Sequence, residues 1–435
     1  MVIELPGRFW LVSAPSEVSD GQFVVDDTGR AEVRVTPEFY PAFETEILNV
    51  AADGSTVSHL ILTPDRGPQT VHGLVELENE DPLPVSVVAA HASWTGETQV
   101  FRRPLWALTG AHVDRSDRFH GIRARLTAFG AGDAGPARMD HGGTVQLIDG
   151  WVTLGDLPAQ TWNELGRTVV RPLCTLLTLA SGAKVRPLAV EVSRDGGVWW
   201  HVHSGSRHVA SSSAAPFAEH LIHGSDLSVD ILATWLDRAH LLGPLPGAYA
   251  SVLEGDLSVE AQALILTTVT EGLHRVLFPD TLRFSVKHGE RVRQAAVDAV
   301  REIDENDATA AAVSGFLSHV HEVGYAKRLD ELATRAENLV PGITGKKNKW
   351  KSLVYDTRNR YAHQTSAAWM EEDDLDQVLT TAQSLRWVLR LLLLEQAGLP
   401  GDLLKDRFAD HQRYRFFLSN AAEWQPSVYR ANSGG

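Results

Sequence analysis

Short runs of β-branched and apolar residues fill the first 205 residues of the chain, and Gly, Asp-Gly and Pro interrupt them at short intervals. Runs of this length, bounded in this way, indicate β-strands, and they do not alternate regularly with helical segments. The pattern predicts an antiparallel sandwich or a distorted barrel, with one helix over 157–180 packed on the strands. The predicted strands are 22–25, 31–35, 59–62, 85–88, 122–126, 145–148 and 188–192.

Apolar residues recur at helical spacing from about Val229 onward, so the second half of the chain is predicted to be helical. Ser258 is a typical N-cap residue in front of a long helix that Pro279 ends. Four or five of these helices form a predicted bundle over 245–400, which the Gly-Leu-Pro-Gly segment 398–401 closes. The predicted helices are 260–278, 286–303, 308–323, 326–339, a segment from Lys349 to His363, and 375–397.

These two patterns predict an α+β fold class and two domains, and 435 residues are enough for two or three cores. The first predicted domain is β-rich and covers 1–225, and the second is helical and covers 226–425. A single cysteine, Cys174, excludes an intramolecular disulfide and a cysteine-rich zinc site. The start of the sequence lacks the features of an export signal, and the apolar run 387–394 is too short to span a bilayer. We therefore expect a cytoplasmic protein that has no membrane partner.

The net charge of −15 argues against general coating of nucleic acid, but one local stretch is basic. Residues 346–360 contain six cations and a single acid, Asp356. A solvated basic loop is one interpretation of this stretch. A focused phosphate-binding cleft is the other. The cations are Lys346, Lys347, Lys349, Lys351, Arg358 and Arg360.

Arg358, Asn359 and His363 stand within one and a half turns of the predicted helix that contains the basic stretch. At about 100° per residue, Asn359 and His363 are roughly 40° apart and share a face. Arg358 is about 140° from His363, so the two groups meet only through the long arginine side chain or through a second copy of the motif. An exposed helix with Asp356 and Arg360 paired at i,i+4 is the alternative interpretation.

The three side chains suit RNA cleavage without a metal ion. His363 can act as the base for a 2′-hydroxyl or as the acid for the leaving 5′-oxygen, and Arg358 can stabilise charge on the phosphate. Asn359 can orient the imidazole or bind the phosphate. One motif supplies one histidine, so a site that needs two predicts two chains at a two-fold axis. His201 and His203 share a strand face, but spacing fixes no third ligand, so we expect neither a metal nor another cofactor.

The R-N-x-x-x-H arrangement in a C-terminal helical domain resembles the HEPN superfamily, and the whole chain resembles the ApeA-like anti-phage proteins. The N-terminal resemblance rests on Gly7-Arg8-Phe9-Trp10-Leu11 and on the apolar run 170–180. The resemblance of the whole chain implies a β-rich sensor domain and an endoribonuclease site that is shared across a homodimer. It also implies cleavage of cellular RNA, transfer RNA being one candidate, and growth arrest after a phage-derived trigger. Glu271 resembles the acidic residue that holds the catalytic arginine in many HEPN domains, although an ordinary exposed glutamate fits as well.

Two further interpretations compete with this one. A non-catalytic, dimeric HEPN-type protein would bind a nucleotide or a partner, and a carbohydrate-binding β-domain fused to a helical bundle would use the N-terminal tryptophans. The intact triplet Arg358, Asn359 and His363 favours the enzyme. Tyr361 is a candidate for contact with a base, and core packing is its alternative role. The predicted RNA-binding residues are Lys346, Lys347, Lys349, Lys351, Arg360 and Tyr361.

Overall fold

The computed structural model describes residues 2–36, 68–77, 80–95, 98–102, 106–126, 134–203, 220–254, 257–303, 307–363 and 372–430. Side chains at 89, 93–95, 102, 362–363 and 372–373 are outside this description. The chain divides into two compact units that alternate along the sequence. The first unit takes Met1–Cys174, Val185–Ala218 and His223–Asp237, and the second takes Thr175–Lys184, Glu219–Ile222 and Arg238–Gly435. The domain ranges 1–225 and 226–425 stay predictions.

The first unit is built on antiparallel strands, as the Gly-broken apolar runs predict. Six of the seven predicted strands coincide with or overlap observed ones, and 59–62 lies outside the described residues. The strands are β1 (Ile3–Leu11), β2 (Ala14–Val25), β3 (Ala31–Val35), β4 (Gln69–Val75), β5 (Leu83–Thr95), β6 (Thr98–Arg102), β7 (Trp106–Thr109), β8 (Arg118–Phe119), β9 (Gly121–Arg125), β10 (Ala134–Arg138), β11 (Thr144–Ile148), β12 (Trp151–Gly155), β13 (Gln160–Thr161), β14 (Ala189–Ser193) and β15 (Trp200–His203).

Among the described residues, thirteen of these strands form one sheet, and β8 pairs separately with β13. The order is β10-β11-β12-β9-β14-β15-β7-β5-β4-β1-β2-β3-β6. β5 pairs with β4 and β7 through its first half and with β6 through its second half. Because β6 also pairs with β3, the strands β4, β1, β2, β3, β6 and β5 close into a ring. The predicted barrel-like architecture is therefore confirmed.

The ring encloses an apolar core. Alternation along β3 places Ala31, Val33 and Val35 inside, which is the period-two pattern of a strand with one buried face. Gly73 lies opposite Phe9 in the β1–β4 register, and a Cβ at this glycine would collide with the Phe9 ring. The absence of a side chain at residue 73 thus allows the phenyl ring to fill the core.

Helices follow the strands. The helix predicted over 157–180 begins only at Trp162, because Thr161 and Glu164 form a capping box there. It continues through a π-helical turn, Gly166–Val170. The helices are α1 (Trp162–Leu165), α2 (Arg171–Ser181), α3 (Val229–Leu242), α4 (Leu245–Glu254), α5 (Val259–Leu277), α6 (Val286–Ile303), α7 (Asp307–Phe316), α8 (Tyr325–Leu339), α9 (Lys347–His363), α10 (Glu372–Gln396), α11 (Gly401–Asp410), α12 (Gln412–Trp424) and α13 (Pro426–Tyr429), with a 3₁₀ turn at Gly224–Asp226.

The second unit is a helical bundle in which α5 and α10 form the central pair, and α4, α8 and α9 pack against α5. The predicted helix 308–323 is shorter than expected. It ends at Phe316 because the following backbone pairs elsewhere: Arg283 N–H donates to His321 O at 2.8 Å, and Leu282 bridges Glu322. The chain does break after α10, but α11 and α12 then pack back on that helix, so the helical region runs past Gly401.

Candidate functional site

The motif helix α9 is held against α10 by its buried face. Trp350 and Val354 are fully buried, and Thr357 follows one turn later. Trp350 Nε1–H donates to Ser384 Oγ at 3.0 Å, and the hydroxyls of Thr357 and Thr381 hydrogen-bond at 3.0 Å. These contacts follow the helical recurrence of the sequence. They orient α9 so that Arg358 and Asn359 lie half-buried beside its core face.

Arg358 carries a charge that no carboxylate neutralises in the described part of the chain. Its guanidinium Cζ lies 5.4 Å from the centroid of the Tyr325 ring, and its Nη1–H donates to Asn359 Oδ1 at 3.3 Å. A guanidinium over an aromatic face is held by the ring quadrupole while its charge remains available. The arrangement therefore offers a positioned cation next to an amide.

Tyr325 is the first residue of α8, and its ring packs against the guanidinium of Arg358. Its hydroxyl donates to Thr267 O on α5 at 3.4 Å, and its ring lies 6.4 Å from that of Tyr355. Burial raises the pKa of Tyr325 above its ordinary value, Glu271 raises it further, and the charge of Arg358 opposes both. The phenol is therefore neutral at physiological pH and supplies a polarisable surface rather than a counter-ion.

Glu271 lies on α5, near enough to Tyr325 to affect the pKa of that residue. Its carboxylate forms an ion pair with Arg275 at 3.2 Å, one turn further along α5, and the described structure shows no ion pair between Glu271 and Arg358. Arg275 also binds Glu322 at 3.0 Å, and Arg328 binds Glu322 at 2.5 Å. Glu271 is thus one member of a charge network that borders the arginine site.

Three of the predicted RNA-binding cations are paired with acids. Arg360 Nη1 binds Asp374 and its Nη2 binds Gln377 Oε1 at 3.3 Å, both on α10. Lys351 and Lys347 reach the carboxylate of Asp330 on α8 at 3.2 and 3.5 Å. Burial alone would raise the pKa of Asp330, but the two lysines hold it below its usual value. The basic stretch is therefore partly neutralised, in contrast to Arg358.

The remaining predicted site residues lie on α9 or directly before it. The Lys346 backbone N–H donates to Val428 O at 2.8 Å, and Lys349 faces a groove between α9, α10, α12 and α13. Burial, helped by Glu260 and Asp374, raises the pKa of Tyr361. His363 is the last residue of α9, and its side chain lies outside the described residues.

Sequence reasoning did not identify Tyr325 or Asp330 as members of the site. Both lie on α8, more than twenty residues before the motif, and no local spacing connects them to Arg358 or Lys351. The only signal for Tyr325 is its place directly after Gly324, at the start of a predicted helix. Contact with α9 arises only when the two helices pack.

The histidine pair considered for a metal lies on β15. The two rings are 4.7 Å apart, His203 is buried, and His201 Nδ1 is 4.0 Å from Glu191. No group of three His, Cys, Asp or Glu side chains suited to a metal ion occurs in the described ranges. In those same ranges, no helix has the length and apolar content needed to cross a membrane.

Residues 264–403 match the family model described as Apea-like HEPN. The match runs from within α5 to the start of α11 and contains Tyr325, Arg358, Asn359 and His363. This match confirms the resemblance of the helical region to Apea-like HEPN domains that the R-N-x-x-x-H motif indicated. No curated protein and no solved structure shows a significant match to the chain.

Proposed function

We propose that the protein is a metal-independent endoribonuclease whose active site is built from Arg358, Asn359 and His363. The observation that carries this proposal is the guanidinium of Arg358, which has no carboxylate partner among the described residues and lies on Tyr325 beside Asn359, in a region similar to Apea-like HEPN domains. Ribonucleases are common among HEPN domains. A fixed cation without an acidic partner is what a phosphate in a transition state needs.

The proposed reaction is an internal transesterification. A histidine takes the proton of the 2′-hydroxyl, and the 2′-oxygen forms a bond to phosphorus while the bond from phosphorus to the 5′-oxygen breaks. A second proton donor protonates the leaving 5′-oxygen, so the products are a 2′,3′-cyclic phosphate and a 5′-hydroxyl. Arg358 stabilises the charge on the pentavalent phosphate, and Asn359 orients His363 or binds the phosphate.

Two proton-transfer groups are required, and each chain provides one motif histidine. We therefore infer a homodimer that joins two HEPN domains, with His363 of one chain acting as base and the partner's His363 acting as acid. In such a dimer we assign Glu271 to help hold an arginine, and Lys346 and Lys349 to contact with the RNA. Arg360, Lys347 and Lys351 would bind RNA only by exchanging their present acidic partners.

The β-rich unit is proposed to act as the sensor. The HEPN family match is consistent with a role in defence, in which a phage-derived trigger releases cleavage of cellular RNA, including transfer RNA, and stops growth. A cytoplasmic location fits such a role because both the substrate and the trigger are found there.

The test is single-turnover cleavage of cellular RNA by purified protein and by matched variants. Arg358→Ala and His363→Ala should each lower the rate by about 10²-fold or more, because charge stabilisation and proton transfer are lost. Arg283→Ala and His288→Ala are the controls, since this pair has a similar spacing but no following asparagine. Undiminished cleavage by His363→Ala would reject the enzyme and favour the non-catalytic, nucleotide- or partner-binding alternative.

A further inference from the structure

A groove of about 460 Å³ opens beside the motif helix within the helical unit. One face of α9, the start of α10, the end of α12 and the following helix α13 form its walls, and we call it the α9 groove. Its volume lies within the range of small-ligand sites, roughly 300–1,000 Å³. The lining residues that carry chemistry are Lys349, Ser352, Asp356, Asp374, Asp376 and Trp424.

The α9 groove lies on the side of α9 that carries the position of His363, whereas Arg358 is about 160° from Asp356 around the helix. Asp356 precedes His363 by seven residues, which places the two positions about 20° apart and about 10 Å apart along the axis. Asn359 lies between them. A ligand in the groove would therefore sit about one nucleotide step from a phosphate that His363 contacts.

The charges that line the groove define what it can recognise. Asp356 and Asp376 have no ion-pair partner among the described residues, and neither does Lys349, whereas Asp374 is bound by Arg360. Ionised carboxylates only accept hydrogen bonds, so the ligand must offer hydrogen-bond donors. An excess of negative charge disfavours a phosphate in the groove, and the described residues bring no three metal-ligating groups together there.

Among the four bases, guanine matches this set of groups best. Its Watson–Crick edge presents one acceptor, O6, next to two donors, N1–H and the 2-amino group, which suits one ammonium and two carboxylates. The half-buried Trp424 offers an indole for stacking, and unpaired RNA bases are generally read by stacking together with hydrogen bonds to that edge.

We propose that the α9 groove binds an unpaired guanine base of the RNA substrate, with Asp356 and Asp376 accepting from N1–H and the 2-amino group and Lys349 donating to O6. The inference rests on the proposed ribonuclease function and deepens it. The repulsion between carboxylates and phosphates then keeps the RNA backbone on the Arg358 side. Cleavage should accordingly occur next to unpaired guanines.

Binding can be tested apart from catalysis by calorimetry on the full-length protein with guanosine and inosine 5′-monophosphates. These nucleotides share the phosphate and differ only in the 2-amino group. Guanosine monophosphate should bind about tenfold more tightly or better, because inosine leaves a carboxylate unpaired. Asp356→Asn and Asp376→Asn should remove the difference, and Asp402→Asn on α11, outside the groove, should keep it. Equal binding of the two nucleotides by the parent protein would overturn the proposal.

The role of Trp424 is tested by Trp424→Ala, which should weaken both nucleotides, and by Trp424→Phe, which should restore most of the affinity if stacking is the contact. Thermal unfolding of each variant separates loss of the contact from loss of the fold. If neither substitution alters binding, the assignment of the groove is wrong.

Mapping of the cleaved positions in RNA then distinguishes the two proposals. If the parent protein cleaves next to unpaired guanines and Asp356→Asn cleaves without regard to sequence, the proposed guanine site in the groove is supported. Cleavage without any base preference in the parent protein rejects the groove and leaves the nuclease intact. Selective binding of guanosine monophosphate by a protein that cuts no RNA supports the groove and rejects the nuclease.

Discussion

The guanidinium of Arg358 lies over the ring of Tyr325, with 5.4 Å between Cζ and the ring centroid. This contact joins α9 to α8 and positions a cation without neutralising it. The neighbouring cations Arg360 and Lys351 are instead bound to Asp374 and Asp330. Arg358 thus differs from Arg360 and Lys351 in its partner, which is an aromatic ring instead of a carboxylate.

Tyr325 should matter to the reaction through its ring. Tyr325→Leu removes the cation–π contact and should lower kcat by about 2- to 30-fold with little change in KM. Tyr325→Phe keeps the ring and should retain most of the activity. In an Arg358→Ala background, Tyr325→Leu should have no further effect. A loss of equal size in that background would show that the tyrosine does not act through Arg358.

Chelation should leave RNA cleavage intact, because every proposed step uses the side chains of Arg358, Asn359 and His363. Single-turnover rates with excess EDTA should equal those without it. Loss of activity in EDTA that magnesium or manganese restores would contradict the mechanism.

A mixed dimer tests whether the site is shared. Parent and His363→Ala chains, carrying different tags and isolated together by tandem purification, contain one intact His363 in each dimer. A site that needs a histidine from each chain should lose activity by about 10²-fold or more in this mixed dimer. If the mixed dimer keeps roughly half of the parent activity, each chain works alone.

His274 should make the protein less stable at mildly acidic pH. Burial lowers the pKa of His274, although its Nε2 hydrogen bond to Glu331 Oε2 at 2.7 Å opposes the shift, and the charges of Arg328 and Lys327 lower the pKa further. Nδ1 is buried without a hydrogen-bond partner in the described structure, so a proton there would be unsatisfied.

The unfolded chain, in which His274 has an ordinary pKa of about 6.5, then binds this proton more readily than the folded chain does. The free energy of unfolding should therefore fall as the pH drops through about 6.5 towards the lower folded pKa, and His274 adds no further change below that value. Urea unfolding at several pH values should show a smaller slope in His274→Gln than in the parent. Identical slopes would show that His274 does not titrate in this way.

Arg390 should be needed for the stability of the helical unit. It is buried on α10, where Nε–H donates to Leu179 O at 2.6 Å and Nη2–H donates to Ala180 O at 3.0 Å. Burial lowers the pKa of Arg390 to about 10. Arg390→Met removes the N–H groups that donate to these two carbonyl oxygens. The substitution should therefore lower the free energy of unfolding by about 2–4 kcal/mol.

Arg386→Met, one turn earlier on the same helix, is the matched control and should cost less than about 1 kcal/mol. Denaturant unfolding of the two variants gives the comparison. Equal losses would show that the carbonyl contacts of Arg390 add nothing to stability.

The sequence by itself determined the elements and their order. Short apolar runs bounded by Gly and Pro predicted the strands, helical recurrence predicted α5 to α10, and R-N-x-x-x-H predicted the HEPN resemblance that the family match confirms. These signals are local, because the side-chain period of a strand or helix depends only on neighbouring residues. Even so, α7 ends earlier than predicted. The reason is a backbone bridge between Leu282 and Glu322, two residues far apart in the sequence, which no local pattern encodes.

Only the tertiary structure decided which groups meet. In the sequence, Arg390 merely interrupts an apolar run, whereas in the fold it binds the carbonyls of Leu179 and Ala180, about 210 residues away along the chain. The pairing of Lys347, Lys351 and Arg360 with their acids, the contact of Arg358 with Tyr325 and the α9 groove likewise depend on helix packing. Contacts between distant segments follow from how whole apolar faces pack together, and that information is spread over the entire chain.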